Sequence, residues 1–296
     1  MRSTSSTLLE IALRHAKPGE AKTGIPRLEL RSGHGRIGEH ACLYRSMACF
    51  VLQGSKQVAI GEQVLSYDNS HYLVSALDLP LMGRVYSESR HRPYVALNLE
   101  LDPGLLTELI MAMPPAGEDG TNALALSITT MTEEVRDALR RILTLLDHPG
   151  EIPILAPMLE RELLFRLLQG PNGKLLRQIA SPRGALSQVR RAVGWISENF
   201  DRPLKIDEVC EACGMSRASL HRNFRAVTGQ SPLQYQKQLR LLEARRLLMA
   251  GEHNTSAAGF AVGYESSSQF SREYLRQFDT SPSKDMPRRQ QEKAVT

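Results

Sequence analysis

Two arginines, Arg222 and Arg272, occupy the same place in a pattern that occurs twice. The first copy reads Gly214-Met215-Ser216, then Leu220, Arg222, Phe224 and Ser231-Pro232. The second reads Gly263-Tyr264, then Phe270, Arg272, Tyr274 and Ser281-Pro282. From Leu220 and Phe270 onward the partners are 50 residues apart, while the glycines are 49 apart, so the second turn holds one extra residue. A guanidinium is a planar fork of donors that fits the acceptor edge of guanine in a major groove. Apolar residues four apart anchor a helix and turn the residues between them outward. In the first copy Arg217, Ala218, His221, Arg222 and Arg225 lie on that outer face; in the second, Ser267, Ser268, Gln269, Ser271 and Arg272, with Arg276 one turn on. One charged helix face is ordinary solvated surface. Two in register point to a duplicated helix-turn-helix and to DNA.

Other residue groups have chemical spacing but weaker support. His34, His40, His71 and His91 fall in one region, yet the His-x-His with nearby Glu of a metal cupin is absent, so no metal site is expected. Cys210-x-x-Cys213 has zinc or redox spacing without a second pair, and core packing accounts for it. Cys42 and Cys49 are seven apart on a strand-like run, on opposite faces if that strand is regular. A redox- or electrophile-sensing thiol there would lack the local cationic cluster that lowers a thiol pKa. No nucleophile elbow, phosphate loop or metalloprotease motif is present, and nothing argues for catalysis.

The elements that must position the arginines follow from local signals. Gly214 suits a left-handed turn residue between two helices, Asp207 is placed to cap the first (208–213), and Ser216 the second. Ser231-Pro232 starts a connecting helix that runs to Gly251. About 18 residues at 1.5 Å rise give roughly 27 Å, which with the flanking units sets two recognition helices near one DNA turn, about 34 Å, apart.

Residues 25–102 are strand-like, with runs at 43–53, 56–60, 63–67, 71–77, 80–88 and 93–101 separated by Gly, Pro and Asn, as in a β-barrel or jelly roll. Asp102-Pro103 opens a helix to about Met113, and 114–122 reads as loop. Thr132-Glu133-Glu134 opens another helix, with the stripe Val135, Leu139, Ile142, Leu143 and Leu146. A third runs over 154–169 with the stripe Leu155, Met158, Leu159, Leu163 and Leu167, ended by Gly170-Pro171-Asn172-Gly173. The first 24 residues read as a short helix and not a signal peptide.

Charge separates the halves. Residues 181–296 hold 18 Lys/Arg against 12 Asp/Glu, and residues 1–180 hold 19 against 20, so the whole basic excess lies with the repeat. No apolar run is long enough to cross a membrane, and four cysteines among 296 residues suggest no disulfide scaffold; the expected location is the cytoplasm.

The repeat, with Thr228-Gly229, Arg240, Ala244-Arg245, Leu247-Leu248, Val262-Gly263-Tyr264 and Phe278 between and around its copies, resembles the AraC/XylS family of bacterial transcription regulators over about 189–289. The resemblance implies base contacts from Ala218, His221 and Arg222, and from Ser267, Ser268 and Arg272; Gln269, outward beside them, is read as a further base contact. This leaves Ser216, Arg217, Arg225, Ser271 and Arg276 for phosphates. Two positions depart from the family pattern. Gly259 stands where Ala is usual, which should weaken its helix by about 1 kcal/mol. Asp279 stands where Gly commonly follows the second recognition helix, a less favourable C-terminal turn.

Leu52-Gln53-Gly54-Ser55-Lys56, Tyr67-Asp68, Tyr72-Leu73-Val74-Ser75, Asp78-Leu79-Pro80 and Pro93-Tyr94 resemble the N-terminal domain of one AraC subgroup, similar to a cupin-like barrel followed by helices. The expected fold is α+β: a cupin-like β-barrel with a helical pair over 1–170, a linker over 171–188, an all-α double helix-turn-helix over 189–289, and a tail over 290–296. The resemblance implies promoter DNA, a small-molecule effector, a second copy of the chain and RNA polymerase as partners, with no cofactor. The first unit is expected to supply most sequence discrimination and the second a more adjustable fit. Two alternatives remain beside it: a metal-dependent cupin-type enzyme fused to a DNA-binding domain, and a ligand-independent architectural protein.

Overall fold

The structure, a computed structural model, describes residues 7–17, 20–33, 36–60, 63–87, 89, 91–114, 124–251 and 253–285, without the side chains of 36–42. The loop expected over 114–122 lies outside the described residues beyond Pro114, as does the tail. The short N-terminal helix is α1 (Leu8–His15), opened by a capping box between Thr7 and Glu10.

Eight strands follow: β1 (Leu28–Gly33), β2 (Arg36–Tyr44), β3 (Met47–Gln53), β4 (Ser55–Ile60), β5 (Gln63–Asp68), β6 (His71–Ser75), β7 (Leu79–Tyr86) and β8 (Tyr94–Glu100). A ninth, β9 (Leu126–Thr130), comes after helix α2 (Pro103–Ala112). They form two antiparallel sheets, ordered β1-β8-β3-β6-β9 and β2-β7-β4-β5. Among the described residues no ladder joins the two sheets, so the expected barrel takes the form of an open, non-closed sandwich.

The two sheets differ in their outer faces. β3 and β8 are buried on nearly every residue, because helices cover the back of the five-stranded sheet. β4 alternates, with Lys56, Val58 and Ile60 buried and Ser55, Gln57 and Ala59 half-exposed, so this strand is wet outside.

Two expectations fail among these strands. The run at 43–53 is not one strand: it breaks at Arg45-Ser46, where the backbone N–H of Ser46 donates to Asp78 Oδ1 at 3.1 Å. Cys42 and Cys49 therefore lie in different sheets, not on two faces of one strand. β1 and β9 carried no turn-bounded alternation strong enough to predict them.

Asp102 and Thr132 cap α2 and α3 (Glu133–Thr144) as predicted. The helix expected over 154–169 is α4 (Ile152–Gln169), but its buried stripe is Ile152, Ala156, Glu160, Leu163, Leu164, Leu167 and Leu168. Leu155 and Met158, predicted for the core, face outward, Met158 at 63 % exposure. The reason is a long-range ion pair. Arg27 donates from Nε and Nη2 to the two carboxylate oxygens of Glu160 at 2.9 and 2.7 Å, so a charged residue occupies the buried face. Arg27 itself has φ +61, a left-handed conformation that costs a non-glycine residue about 1 kcal/mol and that this fork holds in place.

The stretch 171–188 contains helix α5 (Gly173–Ala180), with Leu175, Leu176 and Ile179 buried, and the first residues of α6 (Ala185–Glu198). Then come α7 (Ile206–Cys213), α8 (Arg217–Thr228), α9 (Pro232–Ala250), α10 (Thr255–Ala261), α11 (Ser267–Phe278) and α12 (Pro282–Asp285).

The core is divided unevenly. One cluster is continuous from the sandwich through α3 to α8 and ends at Leu239 on α9. A second is confined to the C-terminal half of α9, α10, the turn after it and α11, and includes Tyr264, Phe270, Tyr274 and Phe278. The sandwich also bonds to the helical half directly. Ala125 N–H donates to Val227 O at 2.9 Å, and the Tyr235 hydroxyl donates to Asp78 O at 2.8 Å.

Candidate nucleic-acid interface

In the first unit, α7 and α8 meet at Gly214, whose φ of +66 is the left-handed value the turn requires. α7 starts two residues earlier than predicted and Lys205, not Asp207, is its N-cap. Asp207 instead sits in the first turn and forms an ion pair with Arg217 at the start of α8, with Arg217 Nε donating to Oδ1 at 2.6 Å. That guanidinium holds the Asp207 carboxyl below its ordinary range. Ser216 caps α8 through Ser219 N–H. Two donors from α6 close the turn: Gln188 Nε2 bonds to Gly214 O at 3.0 Å and Arg191 Nη2 to Cys213 O at 3.0 Å. Their role was not read from the sequence, where spacing three apart on an ordinary helix is their whole local signal.

Leu220 and Phe224 are buried, and Ala218, His221, Arg222 and Arg225 are exposed on the opposite side of α8. Neither Arg222 nor Arg225 has a carboxylate partner among the described residues. Cys210 and Cys213 are structural here. Burial pushes both thiols above their ordinary value, and the Cys213 thiol turns to Cys210 O at 3.6 Å.

In the second unit, α10 and α11 meet at Gly263, φ +86. Ser266 caps α11 through Gln269 N–H. Phe270, Tyr274 and Phe278 are buried in sequence along one face, ring on ring at 5.5 and 4.5 Å. Ser267, Ser268, Gln269, Arg272 and Arg276 are exposed, and Ser271 is half-buried. Arg272 Nε reaches Ser268 O of its own helix at 3.3 Å. Gln269 Nε2 donates to Glu273 Oε1 at 3.2 Å, so this outward amide is tied to a carboxylate of its own helix.

The two departures from the family pattern have physical explanations. A Cβ on Gly259 would lie 2.9 Å from Phe270 Cδ1, so the Phe270 ring occupies the space an alanine methyl would take. The helix gives up propensity to seat its partner's ring. Asp279 adopts φ +53 at the C-cap of α11, the left-handed turn that a glycine would make without strain.

Arg240, on α9, is a further residue whose function the sequence did not disclose. Its guanidinium donates to three backbone carbonyls: Phe200 O at 2.6 Å, Arg202 O at 2.7 Å and Gly263 O at 2.8 Å. Burial lowers its pKa from the usual value, an effect opposed by Tyr264 and nearby carboxylates. It fastens the turn of the second unit to the loop that precedes the first.

In the sandwich, His71 pairs with Asp68 at 3.1 Å and His91 is exposed, while His34 and the side chains of His40 and Cys42 lie outside the described residues. Cys49 is buried and accepts from the Tyr67 hydroxyl at 3.3 Å. Among the described residues no three His, Cys, Asp or Glu side chains converge as metal ligands would, and no helix is long and apolar enough to cross a membrane. A cavity of about 790 Å³ opens between β1, β8 and the facing sheet, with residues of the segment 20–27 in its wall.

The comparisons agree with this architecture. Residues 24–175 match the N-terminus of AraC-type transcriptional regulators, and residues 209–287 match a helix-turn-helix domain. The transcriptional activator RhaS of Salmonella paratyphi A is 28% identical over 155 residues, 51% of this chain and 54% of RhaS. The chain thus spans about half the length of the curated relatives it matches. Apo ToxT from Vibrio cholerae superposes with a TM-score of 0.60 over 89% of this chain and 98% of ToxT, at 11% identity. ToxT bound to an unsaturated fatty acid gives 0.55 over 87% and 93%, at 12% identity. At such identity these two speak for the fold alone. With more than half of its length in the N-terminal match and a helix-turn-helix match behind it, this chain belongs to the AraC-type transcriptional regulators.

Proposed function

We propose that α8 and α11 enter successive major grooves of promoter DNA, with Arg222 and Arg272 reading base edges. Ala218, His221, Ser267, Ser268 and Gln269 line the same contact faces. Ser216, Arg217, Arg225, Ser271 and Arg276 hold phosphates. The observation that carries this is the repeated helix face: Arg222 and Arg272 are exposed while the apolar residues flanking each are wholly buried. Arg217 leaves Asp207 to reach a phosphate, an exchange that exposure on both sides makes cheap.

The sandwich acts as the sensing half. Its cavity and its direct bonds to Val227 and Tyr235 support an effector biasing how the helices are presented. A fatty acid bound to ToxT supports a small molecule as ligand of this kind of fold. The exposed Ile154, Leu155 and Met158 on α4 support a second copy of the chain as a partner. The reading assigns the chain no reaction, and no observation favours the metal-enzyme alternative.

Arg222→Ala is the decisive variant. It should cost about 1–3 kcal/mol of binding, concentrated at one base position of the preferred site. Binding to selected genomic fragments and to random DNA measures this; equal weakening of both would remove Arg222 from base reading.

A further inference from the structure

We infer that Gln269 reads an adenine and that Glu273 is the positioning residue that presents its amide; this rests on α11 entering a major groove. Gln269 stands three residues before Arg272, beside it on the outer face, and is exposed. Glu273, one turn on, is only 18 % exposed and is fixed from three sides. Lys237 Nζ on α9 donates to its Oε1 at 3.0 Å, and the Tyr264 hydroxyl donates to Oε2 at 2.8 Å. Gln269 Nε2 is the third donor, to Oε1 at 3.2 Å.

An ionised carboxylate only accepts, so the amide must turn its nitrogen and not its oxygen toward Glu273. One hydrogen of Nε2 is then committed, and the other stands beside Oε1 as a donor next to an acceptor. Adenine offers the complement, an N7 acceptor beside the N6 amino group. Guanine offers two acceptors there, N7 and O6, and would require both hydrogens of the amide. Fixing the amide before DNA arrives also lowers the ordering cost of a long side chain.

The first unit is the contrast within the same chain. Its residues equivalent to Gln269, Glu273 and Tyr264 are Ser219, Asn223 and Met215. Ser216 Oγ donates to Ser219 Oγ at 3.1 Å, and Asn223 Nδ2 donates to Met215 Sδ at 3.7 Å. A neutral amide thus stands where the second unit has its carboxylate, and a short hydroxyl where the second has its glutamine. All three positions differ together, as the parts of one arrangement would. On a face otherwise formed by Ser267 and Ser268, a presented glutamine supplies discrimination that the serines cannot.

The test uses the full chain to select sites from random duplex DNA, then profiles variants on every single-base change of the selected site. Gln269→Ala should flatten an adenine preference at one position by at least about fivefold, leaving the position read by Arg222 unchanged. Replacing that adenine by 7-deazaadenine removes N7 alone. The replacement should weaken the parent at least about threefold and Gln269→Ala by less than about twofold. Glu273→Gln keeps the shape but permits the Gln269 amide to flip. It should lower adenine-over-guanine preference there at least about threefold, while the preference lost in Arg272→Ala persists. A preferred base other than adenine, or a parent indifferent to 7-deazaadenine, overturns the base assignment. Unchanged adenine preference in Glu273→Gln overturns the positioning role. So does equal loss at the Gln269 and Arg272 positions, which would make Glu273 a support of the whole helix. If Arg222→Ala and Arg272→Ala each flatten a position while Gln269→Ala flattens none, the groove reading stands and this inference falls. If none of the three flattens a position, the groove reading falls as well.

Discussion

The two helix-turn-helix units share a sequence frame but are built into the molecule differently. The first has no separate core: Val209, Leu220, Phe224 and Val227 belong to the cluster that begins in the sandwich. The second has its own core, dominated by four aromatic rings. A change in the sandwich is therefore transmitted to α8 through packed side chains and through Ala125 N–H to Val227 O. The second unit meets the sandwich at its edge, where Gln277 Nε2 on α11 lies 3.1 Å from Met82 Sδ on β7, and is tied to the rest of the helical half through α9 and the Arg240 clamp. Equal motifs do not imply equal coupling. The expectation of a loosely fitted second unit also meets an obstacle, because its turn is wedged against the rest of the domain.

The turn glycines are the sharpest way to break this contrast. Gly214 and Gly263 both have positive φ, but a Cβ on Gly214 meets open space, whereas on Gly263 it would lie 1.9 Å from Asp201 O. Gly214→Ala should cost about 1 kcal/mol of stability, the backbone penalty alone. Gly263→Ala should cost more than about 4 kcal/mol, because backbone must move as well. Urea unfolding of both variants decides it. Similar losses would mean that the second turn is as free as the first.

Next in size is the clamp. Arg240→Met should cost about 2 kcal/mol, since Gly263 O loses a charged donor while Phe200 O and Arg202 O keep Gln236. The expected signature is local: amide exchange should quicken in α10 and α11 and stay slow in α7 and α8. Uniform quickening would show the two cores to be one cooperative unit.

What could be read in advance was what short-range chemistry encodes. Ser216, Ser231, Thr132 and Asp102 all cap the helices they were expected to cap, because a cap is a bond between residues two or three apart. Both recognition faces were legible because burial at Leu220 and Phe224, and at Phe270 and Tyr274, follows the helical period. What escaped depends on partners far along the chain. The outward turn of Leu155 and Met158 follows from Arg27 and Glu160, 133 residues apart. Arg240 resembled any helix-surface arginine until the loop at 200–202 and the turn at 263 met over it. Lys56 stood inside a quoted motif, but its burial required knowing which face of β4 is the inner one.

The smallest expected effect separates the two units by acid. Glu273 in the second unit is held below its ordinary pKa: burial pushes it up, but bonds from Lys237 at 3.0 Å, Tyr264 at 2.8 Å and Gln269 at 3.2 Å outweigh that. A depressed carboxylate stabilises the fold above its unfolded value, near 4.5, and that contribution is lost as pH falls through the folded value. Asp207 in the first unit is also depressed, by Arg217, but both side chains are about 70% exposed and salt screens them. Glu273→Gln should therefore lose under about 1 kcal/mol at neutral pH, and should lack the parent's added loss of stability below pH 4.5. Thermal melts across that window, at low and high salt, measure it. The difference between parent and Glu273→Gln should survive high salt, because Glu273 is only 18% exposed, while any effect of Asp207→Asn should vanish. Parallel acid losses in parent and Glu273→Gln would instead place the acid sensitivity outside the second core, and remove charge burial from the list of ways in which the two units differ.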